Sequence, residues 1–244
     1  MKKRTIVIGD IHGGLLALQQ LLARIDLRAT DTLIFLGDYV DGWPDVAALI
    51  DALIALEKTH HCIFLRGNHD AWCEEWLRTG KATDVWLFNS GNTTVASYKG
   101  VDADVRKTHL GFFERLRNYY ILESEQLFLH AGFSSMHGPA GEHYESNFYW
   151  DRTLWETALA TEKNLPETSP RYPCRLRHFR EIFIGHTPTL RYGSEVPMQA
   201  CNVWNVDTGA GFQGRLSALD METKAVWQSD PVFMLYPNHS GRSR

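Results

Sequence analysis

The sequence predicts an α/β fold with a largely parallel sheet, on three observations. Short apolar runs recur at Thr5–Ile8, Leu33–Leu36, Cys62–Leu65, Leu127–Leu129 and Ile182–Ile184. Helical patterns separate the first three runs. All five runs end in polar motifs that contain glycine. Strand and helix alternating at this spacing build a sheet covered on both faces, which is why the strands themselves are almost uniformly apolar.

Each element has its own local reason. Thr5–Ile8 is a β-branched run that breaks at Gly9 and Asp10. In "GLLALQQLLARID", Leu15, Leu18, Leu22 and Ile25 recur at steps of three and four and form one apolar helical face. Leu33–Leu36 is the second strand. "PDVAALIDALIALEK" follows as a helix, with Pro44 near its start and Val46, Leu49, Ile50, Leu53 and Ile54 on one side. Cys62–Leu65, Leu127–Leu129 and Ile182–Ile184 continue the sheet, and "NVWNVDTG" (202–209) with "RLSALDMETKAVW" (215–227) predicts closing antiparallel strands. Residues 79–108 and 134–178 carry no period, and long irregular insertions of this kind are expected to rim an active site. One domain over 1–236 is expected, with 237–244 a disordered tail.

Composition narrows the function classes. The 244 residues are 44% hydrophobic, enough for a substantial core, and the formal charge of −4 gives no general affinity for polyanions, so no nucleic-acid partner is expected. No run approaches membrane-spanning length and the N-terminal apolar stretch is too short for a signal peptide, so no membrane partner is expected. Four cysteines without a C-x-x-C pair fit reduced thiols and a cytoplasmic location.

The chemistry lies at the strand ends: "GDIHG" (9–13), "GDYVDG" (37–42), "GNHD" (67–70), "HAG" (130–132) and "GHT" (185–187). Loops beyond the carboxyl ends of such strands are where open α/β sheets bind ligands. Convergence there would gather Asp10, His12, Asp38, Asn68, His130 and His186. Singly, Asp10 or Asp70 could cap a helix and His130 or His186 could be satisfied core histidines. As a set, carboxylates, imidazoles and one amide carbonyl suit divalent manganese, iron or zinc and not a thiolate site. Six ligands exceed the needs of one catalytic ion but suit two, with Asp38 as the bridge.

D-x-H, GD-x-x-D, GNH-[DE] and two later histidines resemble the calcineurin-like metallophosphoesterases, and specifically the bacterial phosphoprotein phosphatase branch. "WLFNSGNTTVASY" (86–98) and "NVDTGAG" (205–211) also resemble members of it. The resemblance implies a β-sandwich flanked by helices with a two-metal site at one end. It implies Asp10, His12 and Asp38 on one metal, with Asp38, Asn68, His130 and His186 on the other, manganese being favoured. His69 and Asp41 match an outer pair in which the carboxylate orients an imidazole that protonates the leaving oxygen. Two such metals acidify a water that attacks phosphorus directly.

One departure stands out. The arginine that follows the second aspartate in the family is Gly42 here, and Arg152 of "YWDR" is the candidate phosphate ligand. The expected reaction is hydrolysis of phosphomonoesters, foremost phosphoserine and phosphothreonine in proteins, with small phosphoesters as further substrates. Symmetrical cleavage of dinucleoside polyphosphates is the alternative, and a catalytically silent binding module is the alternative from another class. Relatives that cleave dinucleotides typically lack the aspartate matching Asp41, which favours the protein phosphatase. The basic cluster 171–180 is expected to be a solvated face.

Overall fold

The computed structural model describes residues 3–123 and 125–242 and consists of two mixed five-stranded sheets packed face to face between layers of helix. Its strands are β1 (Thr5–Ile8), β2 (Thr32–Phe35), β3 (His61–Phe64), β4 (Tyr119–Leu122), β5 (Gln126–Leu129), β6 (Glu181–Ile184), β7 (Met198–Ala200), β8 (Val203–Asn205), β9 (Ser217–Asp220) and β10 (Val226–Gln228). The helices are α1 (Leu15–Ile25), α2 (Val46–Leu56), α3 (Asn68–Thr79), α4 (Asp84–Trp86), α5 (Asn92–Ser97), α6 (Ala103–Glu114), α7 (Asn147–Trp150), α8 (Thr153–Ala160) and α9 (Val232–Leu235).

The first sheet has the order β10-β9-β1-β2-β3, parallel across β1-β2-β3 and antiparallel at β9 and β10. The second has the order β4-β5-β6-β8-β7, parallel across β5-β6-β8 with antiparallel edges. The single parallel sheet read from periodicity is therefore two sheets, as the family resemblance implied. The physical reason is the two-residue period of a strand. Ile6 and Ile8 enter the core under α1 and α2, while Val7 enters a separate core with Ile34, Ile63, Phe128, Phe183 and Leu219 between the sheets. Both faces are buried, so the apolar run is the same whether a helix or a sheet covers it. Edge strands β4 and β7 escaped the sequence reading because both are partly exposed and short.

The two insertions are ordered. Residues 79–108 form α4, α5 and the start of α6, and 134–178 hold α7 and α8. The arginines of 171–180 brace loops: Arg175 donates to Phe133 O and Thr153, Arg177 to Ser169 O, and Arg171 pairs with Glu162 at 3.6 Å. Of the segment 237–244 expected as a disordered tail, residues 243 and 244 lie outside the described residues. Residues 237–242 fold back over the body, with the His239 N–H donating to Tyr236 O and the Arg242 N–H to Gly211 O at 2.8 Å. Trp43, fully buried, stacks on Tyr236 with centroids 5.3 Å apart and gives that segment its anchor. The sequence hid this because Ser, Gly, Asn and Arg make a tail polar without stopping its backbone from bonding.

Candidate metal centre

The site assembles where β1, β2, β3, β5 and β6 end. Backbone bonds lace the first two loops together: the Ile11 and His12 N–H groups both donate to Asp38 O, at 3.1 and 2.9 Å, and Gly13 N–H donates to Tyr39 O at 2.7 Å. The third loop is tied in by Asp70, whose carboxylate accepts from the N–H groups of Asp38, Tyr39 and Gly67 at 2.7 to 2.8 Å. Asp70 thus caps α3, as a turn aspartate does, and also sets the Asp38 backbone. The glycines permit contact between the loops. A Cβ at Gly67 would lie 2.1 Å from Asp38 Oδ1, and one at Gly185 would lie 2.1 Å from Asp10 Oδ1.

His12, Asp38, Asp41 and His186 all have positive φ, between 53° and 67°. Left-handed backbone at residues with a Cβ costs on the order of 1 kcal/mol each and persists only where surrounding bonds over-determine it. All four are site residues. Removing the Asp70 clamp by Asp70→Ala is expected to lower stability by about 1–3 kcal/mol, seen as a lower thermal midpoint, and to weaken metal affinity roughly 10- to 100-fold.

The structure brings together the six side chains expected as ligands. Asp10, His12 and Asp38 offer ligand atoms within 4.8 Å of one another, and so do Asp38, His130 and His186, with Asp38 common to both groups. Asn68 Oδ1 lies 3.2 Å from His130 Nε2 and 3.0 Å from His186 Nδ1, so the amide joins the second group. His12 Nδ1 is 3.0 Å from Val40 O and His130 Nδ1 is 2.8 Å from Leu36 O. Donating there turns the Nε2 atom of each ring towards Asp38, 3.6 Å away for His12 and 3.5 Å for His130.

These residues fit cations. All six are buried, and Asp10 Oδ1 and His186 Nε2 have no hydrogen-bond partner among the described residues. Asp207, which the sequence reading quoted within its motif but gave no role, sits behind Asp10; burial and that neighbour push the Asp10 carboxyl well above its usual range. Burial and the Arg242 guanidinium push His12 well below its ordinary value, and burial and His130 do the same to His186, so both stay neutral as ligands must. Burial opposes charge on Asp38, yet the imidazoles of His130 and His69 outweigh it and hold its carboxyl well below the usual range. His130 is the counterpart: burial lowers it, but the carboxylates of Asp38 and Asp10 outweigh burial and lift it to about 10.

That last value sets a pH dependence. His130 is therefore expected to hold its proton at neutrality in metal-stripped protein, and an incoming cation to expel it. Apparent manganese affinity is therefore expected to rise with pH, about tenfold per unit below that pKa, with release of at least one proton per chain. Titration calorimetry in buffers of different ionisation enthalpy measures this directly; pH-independent binding would mean that His130 is already neutral.

Beside the metal ligands lies the outer pair. His69 Nδ1 is 2.6 Å from Asp41 Oδ2, which also accepts from Trp86 Nε1 at 2.7 Å, while Thr94 Oγ1 donates to Asp41 Oδ1 at 2.5 Å. Trp86 and Thr94 come from the 79–108 insertion, so that segment orients the carboxylate that orients the imidazole. Trp72 and Trp150 continue the wall, Trp72 lying 5.3 Å from the His69 ring and Trp150 6.2 Å from that of His186.

The mouth is cationic. Arg152, Arg191 and Arg242 line a cavity of about 500 Å³ together with Asn89, Pro188, Leu190 and Phe212. Among the described residues no carboxylate comes within ion-pair distance of these three arginines. Burial and then the charges of Arg191 and Arg242 lower Arg152 from its ordinary value. Arg152 was the sequence candidate for phosphate; Arg191 and Arg242 were missed, the second because it was assigned to a disordered tail.

Comparison with known proteins agrees with this geometry. Residues 3–209 match the family described as calcineurin-like phosphoesterase. A protein of Anoxybacillus flavithermus named bis(5'-nucleosyl)-tetraphosphatase PrpE (asymmetrical) is 28% identical, over 92% of this chain and 94% of that one. Among solved structures, a protein provisionally described as a diadenosine tetraphosphatase superposes with a TM-score of 0.61 at 18% identity, covering 92% of each chain. A serine/threonine phosphatase from Saccharomyces cerevisiae superposes with a TM-score of 0.60 at 13% identity, covering 93% of this chain and 79% of that one. The named relatives do not support the narrower phosphoprotein phosphatase branch expected from the motifs. Among the described residues, no helix is long and apolar enough to cross a membrane.

Proposed function

The chain belongs to the calcineurin-like phosphoesterase family, and from that premise we propose that it hydrolyses dinucleoside tetraphosphates at a centre of two divalent cations. The observation that carries this reading is the trio Arg152, Arg191 and Arg242 around one cavity, with no carboxylate among the described residues paired to any of them. A polyphosphate chain presents several anionic groups in a row, and each guanidinium can take oxygens in a bidentate fork. A single phosphoserine presents one such group. The relatives named as tetraphosphatases support the same substrate class.

Asp10, His12, Asp38, Asn68, His130 and His186 would hold the cations, which supply Lewis-acid charge and an acidified water as nucleophile. The protein's own groups do the rest. The arginines fix the anionic chain and neutralise charge as it moves. His69, its Nδ1–H held by Asp41 at 2.6 Å, keeps Nε2 for the leaving oxygen. Phe212, Leu190 and Pro188 give the cavity an apolar side against which a nucleoside can lie.

Phosphoprotein hydrolysis is the second reading, and the His69–Asp41 pair favours it: an alkoxide leaving from phosphoserine needs a proton, whereas a leaving nucleotide phosphate scarcely does. The deciding experiment offers the manganese-reconstituted protein diadenosine tetraphosphate, a phosphoserine peptide and p-nitrophenyl phosphate. The expected result is a kcat/KM at least ~10-fold higher for the dinucleotide, about 1.4 kcal/mol of transition-state discrimination. Preference for the peptide overturns the proposal. Products discriminate further: ATP with AMP is expected if cleavage follows the asymmetrical relatives, whereas two ADP would restore the symmetrical cleavage expected from the sequence.

A further inference from the structure

Position 42 is a glycine at φ +115°, and the stem of Arg242 fills the space in front of it: a Cβ on Gly42 would lie 3.0 Å from Arg242 Cγ. Gly211 opens the opposite wall, where a Cβ would meet Arg242 Cδ at 3.0 Å and His12 Cδ2 at 2.5 Å. The residue is held from both ends. Its N–H donates to Gly211 O at 2.8 Å, and its Cζ stands 5.0 Å from the centroid of the Phe212 ring. At the tip, one terminal nitrogen donates to His12 Nε2 at 3.2 Å. Nε is buried, with no partner among the described residues.

A guanidinium keeps its charge at any pH in which the protein folds, and a buried N–H without an acceptor costs on the order of a hydrogen bond. Arg242 therefore has unmet demand for an anion. It faces the cavity that Arg152 and Arg191 also line, so three like charges share one space and favour a ligand of opposite sign. Its present acceptor is weak tenancy, because His12 Nε2 has a single lone pair; once a cation engages that pair, the Arg242 N–H is released to another acceptor.

We propose that Arg242 is a phosphate-binding residue, bringing a guanidinium from the folded-back tail to the phosphoryl group at the dimetal centre, where residue 42 has no side chain to offer one. The inference rests on the hydrolase reading above and singles out, of its three arginines, the one that reaches the candidate metal ligand His12. A mere strap would need only the backbone bond to Gly211 and the packing on Trp43. It would need neither the charge nor the planar fork.

The test measures binding of inorganic phosphate to the manganese-loaded protein by calorimetry, with metal content and thermal midpoint determined on the same samples. Wild type is expected to bind phosphate, and R242Q to bind it roughly 10- to 100-fold more weakly while keeping two manganese ions per chain and its thermal midpoint. R242K is expected to recover only part of the loss, since an ammonium gives a point charge and no fork. Equal affinity in R242Q and wild type overturns the inference, leaving Arg242 a strap. Tighter binding in R242Q also overturns it, making the tail a plug. If wild type binds no phosphate and cleaves no phosphoester, the hydrolase reading fails, and this inference with it.

Discussion

Asp38→Asn is expected to empty both cation positions at once and to lower turnover by at least ~10³-fold. Asp38 is common to both groups of ligand atoms, whereas Asp10 and His12 belong to one and His130 and His186 to the other. A carboxamide offers one neutral oxygen where the carboxylate offers two charged ones. Cations stabilise phosphoryl charge by several kcal/mol, and each ~1.4 kcal/mol is tenfold in rate. Geometry is retained, because asparagine can still accept the His69 N–H that Asp38 Oδ1 takes at 3.0 Å. The charges of His130 and His69 hold the Asp38 carboxyl well below its usual range, so the metal-free variant loses that attraction and is expected to melt lower than metal-free wild type, with metal content read on protein that is still folded. Metal content by mass spectrometry separates this from the outcome for His12→Asn, which should lose one ion and keep the other. Retention of two ions in Asp38→Asn would remove the bridge from the mechanism.

His69→Asn is expected to leave both metals in place and to divide substrates by their leaving groups. For phosphoserine peptides or alkyl phosphates, whose leaving oxygen must gain a proton, losses of about 10²- to 10⁴-fold are expected. For p-nitrophenyl phosphate and for dinucleoside tetraphosphate, whose leaving groups are weak bases, the loss should be much smaller. The geometry behind this is the 2.6 Å contact of Nδ1 with an Asp41 carboxylate itself pinned by Trp86 and Thr94. Asp41→Asn, which leaves the imidazole in place without its anionic partner, is expected to follow the same order of substrates with a smaller loss, roughly 10- to 100-fold. Kinetics across a series of leaving groups, with metal content measured in parallel, checks both variants. Equal loss for every substrate together with loss of metal would make His69 a support for Asn68 and nothing more.

Much of this was legible in one dimension, for identifiable reasons. The runs at Thr5–Ile8 and Ile182–Ile184 sit within one residue of β1 and β6 because β-branched and apolar residues bounded by glycine leave few alternatives. The ligand types were legible because carboxylate and imidazole side chains at the ends of buried strands have few other uses. What failed did so for equally local reasons. An apolar run does not say which layer covers each face, so periodicity alone pointed to one sheet and only the family resemblance pointed to the sandwich of two. The tail looked polar and loose because nothing in "NHSGRSR" announces that Trp43 and Gly211 receive it. Asp70 and Asp207 stood in motifs already quoted, but their partners, the Asp38 backbone and the Asp10 carboxylate, are distant in the chain.

The sequence by itself determined the strands, the helices between them and the chemical kind of side chain at each strand end, because periodicity and residue type act over a few neighbouring positions. Only the tertiary structure decided that four site residues adopt left-handed backbone, and that an arginine 200 positions beyond Gly42 fills the space before it. Those outcomes depend on distances between segments remote in the chain. Such distances are set when the two sheets close on a common core, and no local pattern encodes them.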